Sequence, residues 1–144
     1  MRVLICALIF LMQGSFARAQ DVTTPMSWHP DSIVWQEYNP DGTKYALLQG
    51  LPDQPGVALT YAFFIPAGVW DAPHWHPTTA RVAVVKGTLR LGYGDILDKD
   101  ATRRYPTGSY LVVPGNVPHF DGADEETMII GTAVGPWTTQ YVQP

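Results

Sequence analysis

Short apolar runs alternate with turn residues along this chain, and no stretch has sustained helical periodicity. Glycine and proline, with 13 of each, separate the apolar runs. Runs of four to eight apolar or β-branched residues bounded by such residues are typical of antiparallel strands in a sandwich or barrel. The pattern therefore predicts an all-β fold. The predicted strands are Ile33–Gln36, Tyr45–Gln49, Ala58–Ile65, Arg81–Lys86, Thr88–Tyr93, Ser109–Val113, Thr127–Ala133 and Thr139–Val142.

One predicted strand, Ala58–Ile65, has two different faces. Leu59, Tyr61, Phe63 and Ile65 share the face with the larger side chains, because alternate residues of a strand point the same way. We expect this face to line the interior of the fold. Core packing accounts for most of these residues, while Tyr61 or Phe63 could also form the wall of a ligand pocket.

The first 19 residues have the features of a targeting segment. Arg2 provides a basic start, residues 3–12 are apolar, and Ala17 and Ala19 are small residues at the A-x-A spacing. These features predict a secretory signal peptide that is cleaved after Ala19, and hence a periplasmic or secreted protein. The alternative is an uncleaved anchor, but the apolar run is too short to span a bilayer. Residues 20–30 are expected to form a loose arm before a single domain at residues 31–144.

Cleavage after Ala19 would change both the cysteine content and the charge. Cys6, the only cysteine, would be removed, so the mature chain would have no disulfide, thiolate ligand or cysteine nucleophile. Removal of Arg2 and Arg18 would lower the formal net charge from −4 to −6. Nucleic acid is therefore not an expected partner, because phosphate contacts require clustered Lys and Arg. No membrane association is expected once the signal peptide is removed.

Three of the four histidines occupy positions that suit metal ligands. His74 and His76 would point to the same face of an extended strand, with Trp75 pointing away. His119, on a neighbouring strand, could complete a set of three imidazoles. Neutral imidazole is a ligand for iron, zinc, copper, nickel and manganese. The fourth histidine, His29, has no motif around it and is expected to be exposed.

The spacing of these histidines resembles the two sequence motifs of the cupin superfamily. In the first motif, five residues separate Gly68 from His74, and Gly87 closes the motif. In the second, five residues separate Gly108 from the segment Pro114-Gly115-Asn116-Val117-Pro118-His119. The chain resembles small, exported, single-domain bacterial cupins. This resemblance implies a double-stranded antiparallel β-barrel, also called a jelly roll, with a metal site inside it, a small-molecule ligand or substrate, and a homodimer in many relatives.

Two motif positions differ from the cupin pattern. The motif glutamate falls on Ala80 when the motif is anchored on Gly87, or on Arg81 when it is counted from His76, so the carboxylate ligand is missing. We interpret Arg81 as a structural residue. Asn116 replaces a motif glycine, and since asparagine tolerates left-handed backbone angles, the turn is expected to be retained.

A site with three histidines and no glutamate implies a particular chemistry. Three neutral imidazoles leave a divalent ion with its full charge and with three open octahedral positions, which favours a chelating anionic substrate. Cupins of this kind include non-haem iron(II) oxygenases. The resemblance thus implies an oxygenase or isomerase with iron(II), or else manganese, nickel, copper or zinc, held by His74, His76 and His119, with Ala80 leaving space beside the metal. The alternative is a non-catalytic cupin that binds a metal, a sugar or another small ligand.

Two carboxylates lie close to the predicted ligands in sequence. Asp71 precedes His74 by three residues, and Asp121 follows His119 by two. Either could reach the metal or orient a ligand histidine from behind. The alternative for both is an exposed loop carboxylate, and the acidic run from Asp121 to Glu126 is interpreted as a solvated loop between two strands.

Overall fold

The computed structural model describes residues 23–143, which form two facing antiparallel β-sheets and two short 3₁₀ helices, Pro30–Ser32 and Lys99–Ala101. The predicted signal peptide and the first residues of the predicted arm lie outside the described residues. Among residues 23–143, no helix has the length and apolar character needed to cross a bilayer.

The two sheets contain eleven strands, numbered β1 to β11 along the chain. The order in the six-stranded sheet is β1 (Glu37–Tyr38), β2 (Lys44–Gly50), β3 (Ala58–Ile65), β10 (Thr127–Val134), β5 (Ala80–Lys86) and β8 (Tyr110–Val113). The order in the five-stranded sheet is β11 (Gln140–Tyr141), β4 (His74–Trp75), β9 (His119–Gly122), β6 (Thr88–Tyr93) and β7 (Arg103–Pro106). The all-β prediction is confirmed, and the sheets form a jelly-roll sandwich rather than a fully closed barrel.

Alternation along the strands directs apolar side chains into the space between the sheets. Burying these side chains away from water is the main favourable contribution to folding. On β3, Leu59, Tyr61 and Ile65 are buried and Phe63 packs against the same clusters, which confirms the predicted inward face. The main core cluster comprises Ile65, Ala80, Val82, Val84, Leu89, Leu91, Leu111, Val113, Ala123 and Ile129.

The strand predicted at Ile33–Gln36 is wrong, because the first strand begins at Glu37. The side chain of Gln36 bonds both backbone groups of Leu47: its oxygen accepts from the Leu47 N–H at 2.9 Å, and its nitrogen donates to the Leu47 carbonyl at 3.2 Å. The side chain of Gln36 thus takes the place of a backbone partner for Leu47. The apolar pattern of the segment does not reveal this substitution.

Three strands of the five-stranded sheet, β4, β7 and β9, are not among the eight strands predicted from the sequence, although His74 and His119 were expected to lie on strands. The basic pair Arg103-Arg104 suggests from the sequence only a solvated strand edge, yet Arg103–Pro106 pairs with β6. In the sequence, Gly122 also has the character of a turn residue, which predicts a turn where β9 continues. Gly122 instead packs against Trp70, and a Cβ atom added at Gly122 would lie 2.5 Å from the indole ring. Close packing, not a turn, therefore explains this glycine, and the strand continues through Asp121.

The turn that precedes β9 has the predicted conformation. Asn116 has a φ of 58°, in the left-handed region that its short polar side chain tolerates. The side-chain amide of Asn116 donates to the carbonyl of Pro77 at 3.1 Å, and its backbone N–H donates to the carbonyl of His76 at 2.7 Å. These bonds link the two histidine-bearing segments, so the asparagine can replace the motif glycine.

Candidate metal centre

Two neighbouring strands bring the three predicted ligands together. His74 on β4 is the direct partner of His119 on β9, and their ring centroids are 4.4 Å apart. His76 lies two residues after His74, and its ring centroid is 5.1 Å from that of His74 and 5.3 Å from that of His119. One ring nitrogen of each histidine lies within 4.8 Å of the other two. The pairing of β4 with β9 therefore creates a cluster of three imidazoles.

Backbone carbonyl groups fix the orientation of all three rings. The Nδ1 atom of His74 donates to the Ala72 carbonyl at 2.8 Å, and that of His119 donates to the Val117 carbonyl at 2.9 Å. The Nδ1 atom of His76 donates to the Thr138 carbonyl at 3.0 Å. Because a carbonyl can only accept, the proton is on Nδ1 and the lone pair is on Nε2. Such bonds are typical of metal-binding histidines, since they hold the ring and its tautomer ready for the ion.

Burial keeps the rings of His76 and His119 uncharged. His74 and His119 are each 3% exposed. Desolvation lowers the pKa of His76 to about 4, and it also lowers the pKa of His119 below its ordinary value. Imidazole must be neutral to bind a metal, so both rings are in the binding form at neutral pH.

Asp121 lies at the cluster and not in an exposed loop. It shares the inward face of β9 with His119, its side chain is 18% exposed, and its Oδ2 atom is 3.9 Å from His74 Nε2. Burial, followed by the charge of Asp71, raises the pKa of Asp121 to about 7. The interpretation of the acidic run as a solvated loop is therefore wrong at Asp121, because the chain reaches that residue as part of β9.

Asp71 lies on the opposite side of His74. Its Oδ2 atom is 3.6 Å from His74 Nδ1, and its Oδ1 atom accepts a hydrogen bond from the Tyr141 hydroxyl at 3.1 Å. Burial, with a further contribution from Asp71, raises the pKa of Tyr141 to about 12, so this hydroxyl keeps its proton. Asp71 is thus placed behind the ring, where it can orient His74.

A cavity of about 550 Å³ opens next to the cluster, with His74 and His76 in its wall. Tyr61 and Phe63 of β3 line it, at positions where the sequence suggested a pocket wall. The sequence also predicted that Ala80 would leave space at the site. Ala80 lies instead in the main core cluster and is not among the residues that line the cavity, because the first residue of β5 points into the apolar layer.

A row of stacked rings leads from the cluster along the cavity. The ring centroids of Trp137 and His76 are 4.1 Å apart, and the two ring planes meet at 24°. Trp137 then stacks with Tyr61, and Tyr61 with Tyr45, each pair at 5.7 Å. The sequence reasoning did not place Trp137, Tyr45 or Tyr141 in the site. Their aromatic character was the only available signal, since all three are far from the histidines in sequence.

The charged residues that line the cavity are all acidic. They comprise four carboxylates, Glu37, Asp41, Asp71 and Asp121, and no Lys or Arg is among the described lining residues. The remaining residues discussed from the sequence lie elsewhere. His29 and Arg81 are exposed, and Trp75 is only partly buried. Among its described lining residues, the cavity therefore offers imidazole, carboxylate and aromatic groups to a ligand, but no Lys or Arg.

Comparison with known proteins agrees with this architecture. The sequence profile of the family described as the ChrR cupin-like domain matches residues 20–138. No curated protein sequence gives a significant match.

Solved structures with the same fold include proteins of different activities. The polyketide cyclase RemF from Streptomyces resistomycificus has a TM-score of 0.66 and 17% identity, with 84% of this chain and 87% of that chain covered. A proposed acetylacetone dioxygenase from Methylibium petroleiphilum PM1 has a TM-score of 0.62 and 20% identity, with coverage of 84% and 83%. KdgF from Halomonas sp. has a TM-score of 0.57 and 20% identity, with coverage of 74% and 91%. At these identities the similarity shows the fold.

Proposed function

Because the chain belongs to the ChrR cupin-like domain family, we propose that it is a metal-dependent enzyme acting on a small molecule. His74, His76 and His119 would hold one divalent transition metal. The observation that carries this proposal is the orientation of the three rings. Each Nδ1 is bonded to a carbonyl, which leaves three Nε2 lone pairs within one small cluster. Imidazoles arranged in this way, with an unprotonated Nε2 on each ring, are suited to bind a cation.

The donor set fits iron(II), and manganese, nickel, copper or zinc would also be accepted by three imidazoles. When bound, such an ion would act as a Lewis acid that polarises a coordinated oxygen of the substrate. The chain's own residues would provide the setting for that chemistry. Backbone carbonyls hold the imidazoles in place, and the stacked rings of Trp137 and Tyr61 form a flat wall against which a planar substrate can lie.

We propose that the reaction is an oxygenation or an isomerisation. The fold similarity to a proposed acetylacetone dioxygenase and to a polyketide cyclase supports this class of reaction without identifying it. The cavity modifies the substrate expected from the sequence, because its carboxylates and its lack of basic side chains oppose an anion that enters fully charged. We therefore propose a substrate that enters the cavity uncharged and carries two adjacent oxygen donors, such as a β-diketone or a catechol.

A non-catalytic function is the second candidate. The aromatic wall and the polar groups around it would also suit a sugar, whose apolar face can pack on the ring of Trp137. A protein of this kind would bind its ligand and a metal without turnover. Export through the signal peptide predicted at residues 1–19 is part of either proposal, and N-terminal sequencing of the protein from its native cells tests it.

The first experiment is elemental analysis of the purified protein. We expect about one transition-metal ion per chain in the wild type. His119→Ala should lose the metal, because it removes one of the three imidazoles. His29→Ala should retain it, because His29 is exposed and distant from the cluster in the sequence. A wild-type protein that is free of metal and takes up neither added iron nor added zinc would refute the proposal.

Substrate-dependent oxygen uptake then separates the two candidate functions. Consumption of O₂ in the presence of a β-diketone or a catechol, lost in His119→Ala, would support an oxygenase. Conversion of a substrate without O₂ consumption would support an isomerase. Saturable binding of a sugar without any turnover would favour the non-catalytic cupin.

A further inference from the structure

We infer that Asp121 is a fourth protein ligand of the metal, and that it supplies the carboxylate that the cupin motif places at the position of Ala80. This inference rests on the proposed function, since it concerns the same ion. It changes the site from three imidazoles to three imidazoles and one carboxylate.

The distance between Asp121 and His74 fits a shared ion. Asp121 Oδ2 lies 3.9 Å from His74 Nε2, which is too far for a hydrogen bond. Bonds from a transition metal to nitrogen or oxygen are about 2.0–2.2 Å long, so one ion can join two atoms that lie up to roughly 4.2 Å apart. An ion between these two atoms therefore needs little movement of either residue, whereas ligation by all three histidines as well requires the Asp121 side chain to turn further toward them, because the cluster within 4.8 Å comprises only the three histidine nitrogens.

The two ends of the His74 ring distinguish Asp121 from Asp71. Nδ1 of His74 faces the Ala72 carbonyl and Asp71, whereas Nε2, at the far end of the ring, faces Asp121. Only Nε2 is free to bind a metal. Asp121 thus lies on the metal side of the ring, while Asp71 lies behind it and is already bonded to the Tyr141 hydroxyl.

The backbone holds Asp121 in this position. Asp121 follows His119 by two residues on β9, so both side chains point to the same face. Its carbonyl accepts from the Asp71 N–H at 2.8 Å, and Leu91 of β6 is its partner on the other side. The side chain is therefore fixed by the sheet and does not depend on a loop.

The carboxylate of Asp121 is also available to a cation. Within residues 23–143, no Lys or Arg forms an ion pair with it, and no protein group donates a hydrogen bond to it. It lines the cavity while most of its side chain is shielded from solvent. The carboxylate reaches the solvent of the cavity, because no fully buried side-chain oxygen among the described residues lacks a hydrogen-bond partner, so a cation that enters the cavity can contact it.

Ligation by Asp121 has two consequences for the substrate. The carboxylate would reduce the charge of a divalent ion by one, which weakens its attraction for an anion. It would also leave two open positions on an octahedral ion, where three imidazoles alone would leave three. Two positions suffice for one bidentate ligand, or for a monodentate ligand together with a small second one.

The test is a comparison of Asp121→Asn with Asp71→Asn in the full chain, with cobalt(II) and zinc(II) as the probes. Asn keeps the shape of Asp but removes the charge. For Asp121→Asn we expect a loss of metal affinity of more than about 100-fold, because changes behind a ligand typically cost about 10–100-fold. The visible absorption spectrum of bound cobalt(II) should change as well, since it reports the coordination of the ion. Asp71→Asn should lose less affinity and retain the wild-type spectrum.

The outcomes separate this inference from the proposed function. Cobalt binding by the wild type that is lost in His119→Ala, together with an altered spectrum in Asp121→Asn, supports both. If Asp121→Asn has the affinity and the spectrum of the wild type, Asp121 is not a ligand, while the three-histidine site stands. Failure of the wild type to bind either metal overturns both. The melting temperature of each metal-free variant shows whether it is folded, so an unfolded variant is not mistaken for a lost ligand.

Discussion

The two sheets that face the cavity contribute in different ways. The five-stranded sheet provides His74, His119, Asp121 and Tyr141, groups that can bind a metal or hold a proton. The six-stranded sheet provides mostly rings and aliphatic groups, among them Tyr61 on β3. One sheet therefore carries the candidate chemistry, and the other mainly shapes the space in which a ligand would lie.

The cupin motif would place a metal ligand on each of the two sheets, which is not the arrangement found here. In the motif, the glutamate position lies on the strand that begins at Ala80, which belongs to the six-stranded sheet. Here that position is apolar, and the carboxylate that faces Nε2 of His74 is Asp121 on the five-stranded sheet. Ligands carried by one sheet, together with His76 directly after β4, can be altered without disturbing the packing of the other sheet. The predictions below test this separation.

The largest effect is expected from Ala80→Glu, which restores the motif residue on the apolar sheet. Glutamate would place an unpaired carboxylate in the main core cluster and should lower the free energy of unfolding of the metal-free protein by about 3–5 kcal/mol. Urea denaturation monitored by tryptophan fluorescence measures this change. Arg81→Glu, at the exposed neighbouring position, is the control and should change stability by less than about 0.5 kcal/mol. Full recovery of stability on addition of metal would show that position 80 reaches the ion.

The next largest effect is on metal affinity, which should depend on the five-stranded sheet and not on the six-stranded sheet. His74→Ala should weaken zinc binding by more than about 100-fold, because it removes a ligand rather than a group behind one. Tyr61→Phe, from the facing sheet, should leave the affinity within a few-fold of the wild type. Isothermal titration with zinc(II) measures both. A similar loss of zinc affinity in the two variants would contradict the view that only the five-stranded sheet contributes to metal binding.

A third prediction concerns the shape of the six-stranded wall. A Cβ atom added at Gly131 of β10 would lie 2.1 Å from Cζ of Tyr61, so Gly131→Ala must displace this ring. We expect a loss of about 1–3 kcal/mol of stability, the usual cost of overpacking. Thermal denaturation measures it, with Thr132→Ala on the exposed face of the same strand as the control. An unchanged melting temperature would mean that Tyr61 is not fixed by its contact with β10.

The smallest effect is the pH dependence of the metal-free protein, where the lowered pKa values of His76 and His119 oppose the raised pKa of Asp121. The pKa of His76 is about 4 against an ordinary 6.5, so the unfolded chain binds its proton first and stability falls as the pH drops from 6.5 toward 4. The pKa of Asp121 is about 7 against 3.8, so the folded chain binds that proton first and stability rises over nearly the same range. We expect a shallow profile for the wild type between pH 4 and 7.

Asp121→Asn should reveal the histidine contribution. With the opposing carboxylate removed, the stability of the metal-free variant should fall more steeply toward pH 4 than that of the wild type. Chemical denaturation at several pH values measures both profiles. Parallel profiles would show that the two contributions do not offset each other.

The sequence predicted those features that depend on local spacing. The resemblance of the segments around His74, His76 and His119 to the cupin motifs implied the jelly-roll fold and the histidine cluster, and Asn116 was correctly expected to adopt left-handed angles. The inward face of β3 followed from simple alternation. For Asn116 and for β3, neighbouring residues contain the relevant information, while the cluster of His76 with His119 followed from two motifs that are far apart in the sequence.

Features that depend on distant contacts could not be predicted in this way. Gly122 had the appearance of a turn residue because the indole of Trp70 that packs on it is remote in sequence, and the misplaced turn concealed the position of Asp121. The same holds for Trp137, whose stacking on His76 depends on the docking of a late segment of the chain. Hydrophobic pattern carries no information about such partners.

The carbonyl bonds to the three histidines differ in how far apart their partners are along the chain. His74 and His119 each bond to a carbonyl two residues earlier, whereas His76 bonds to Thr138, 62 residues later. Two rings can therefore be oriented as soon as their own turns form, but the third must wait for a long loop to close, which is entropically costly and slow. The orientation of His76 therefore depends on the docking of the segment around Thr138, whereas the orientation of the other two rings does not. A change that loosens this late segment of the chain would thus release one ligand ring and leave the other two held by their own turns.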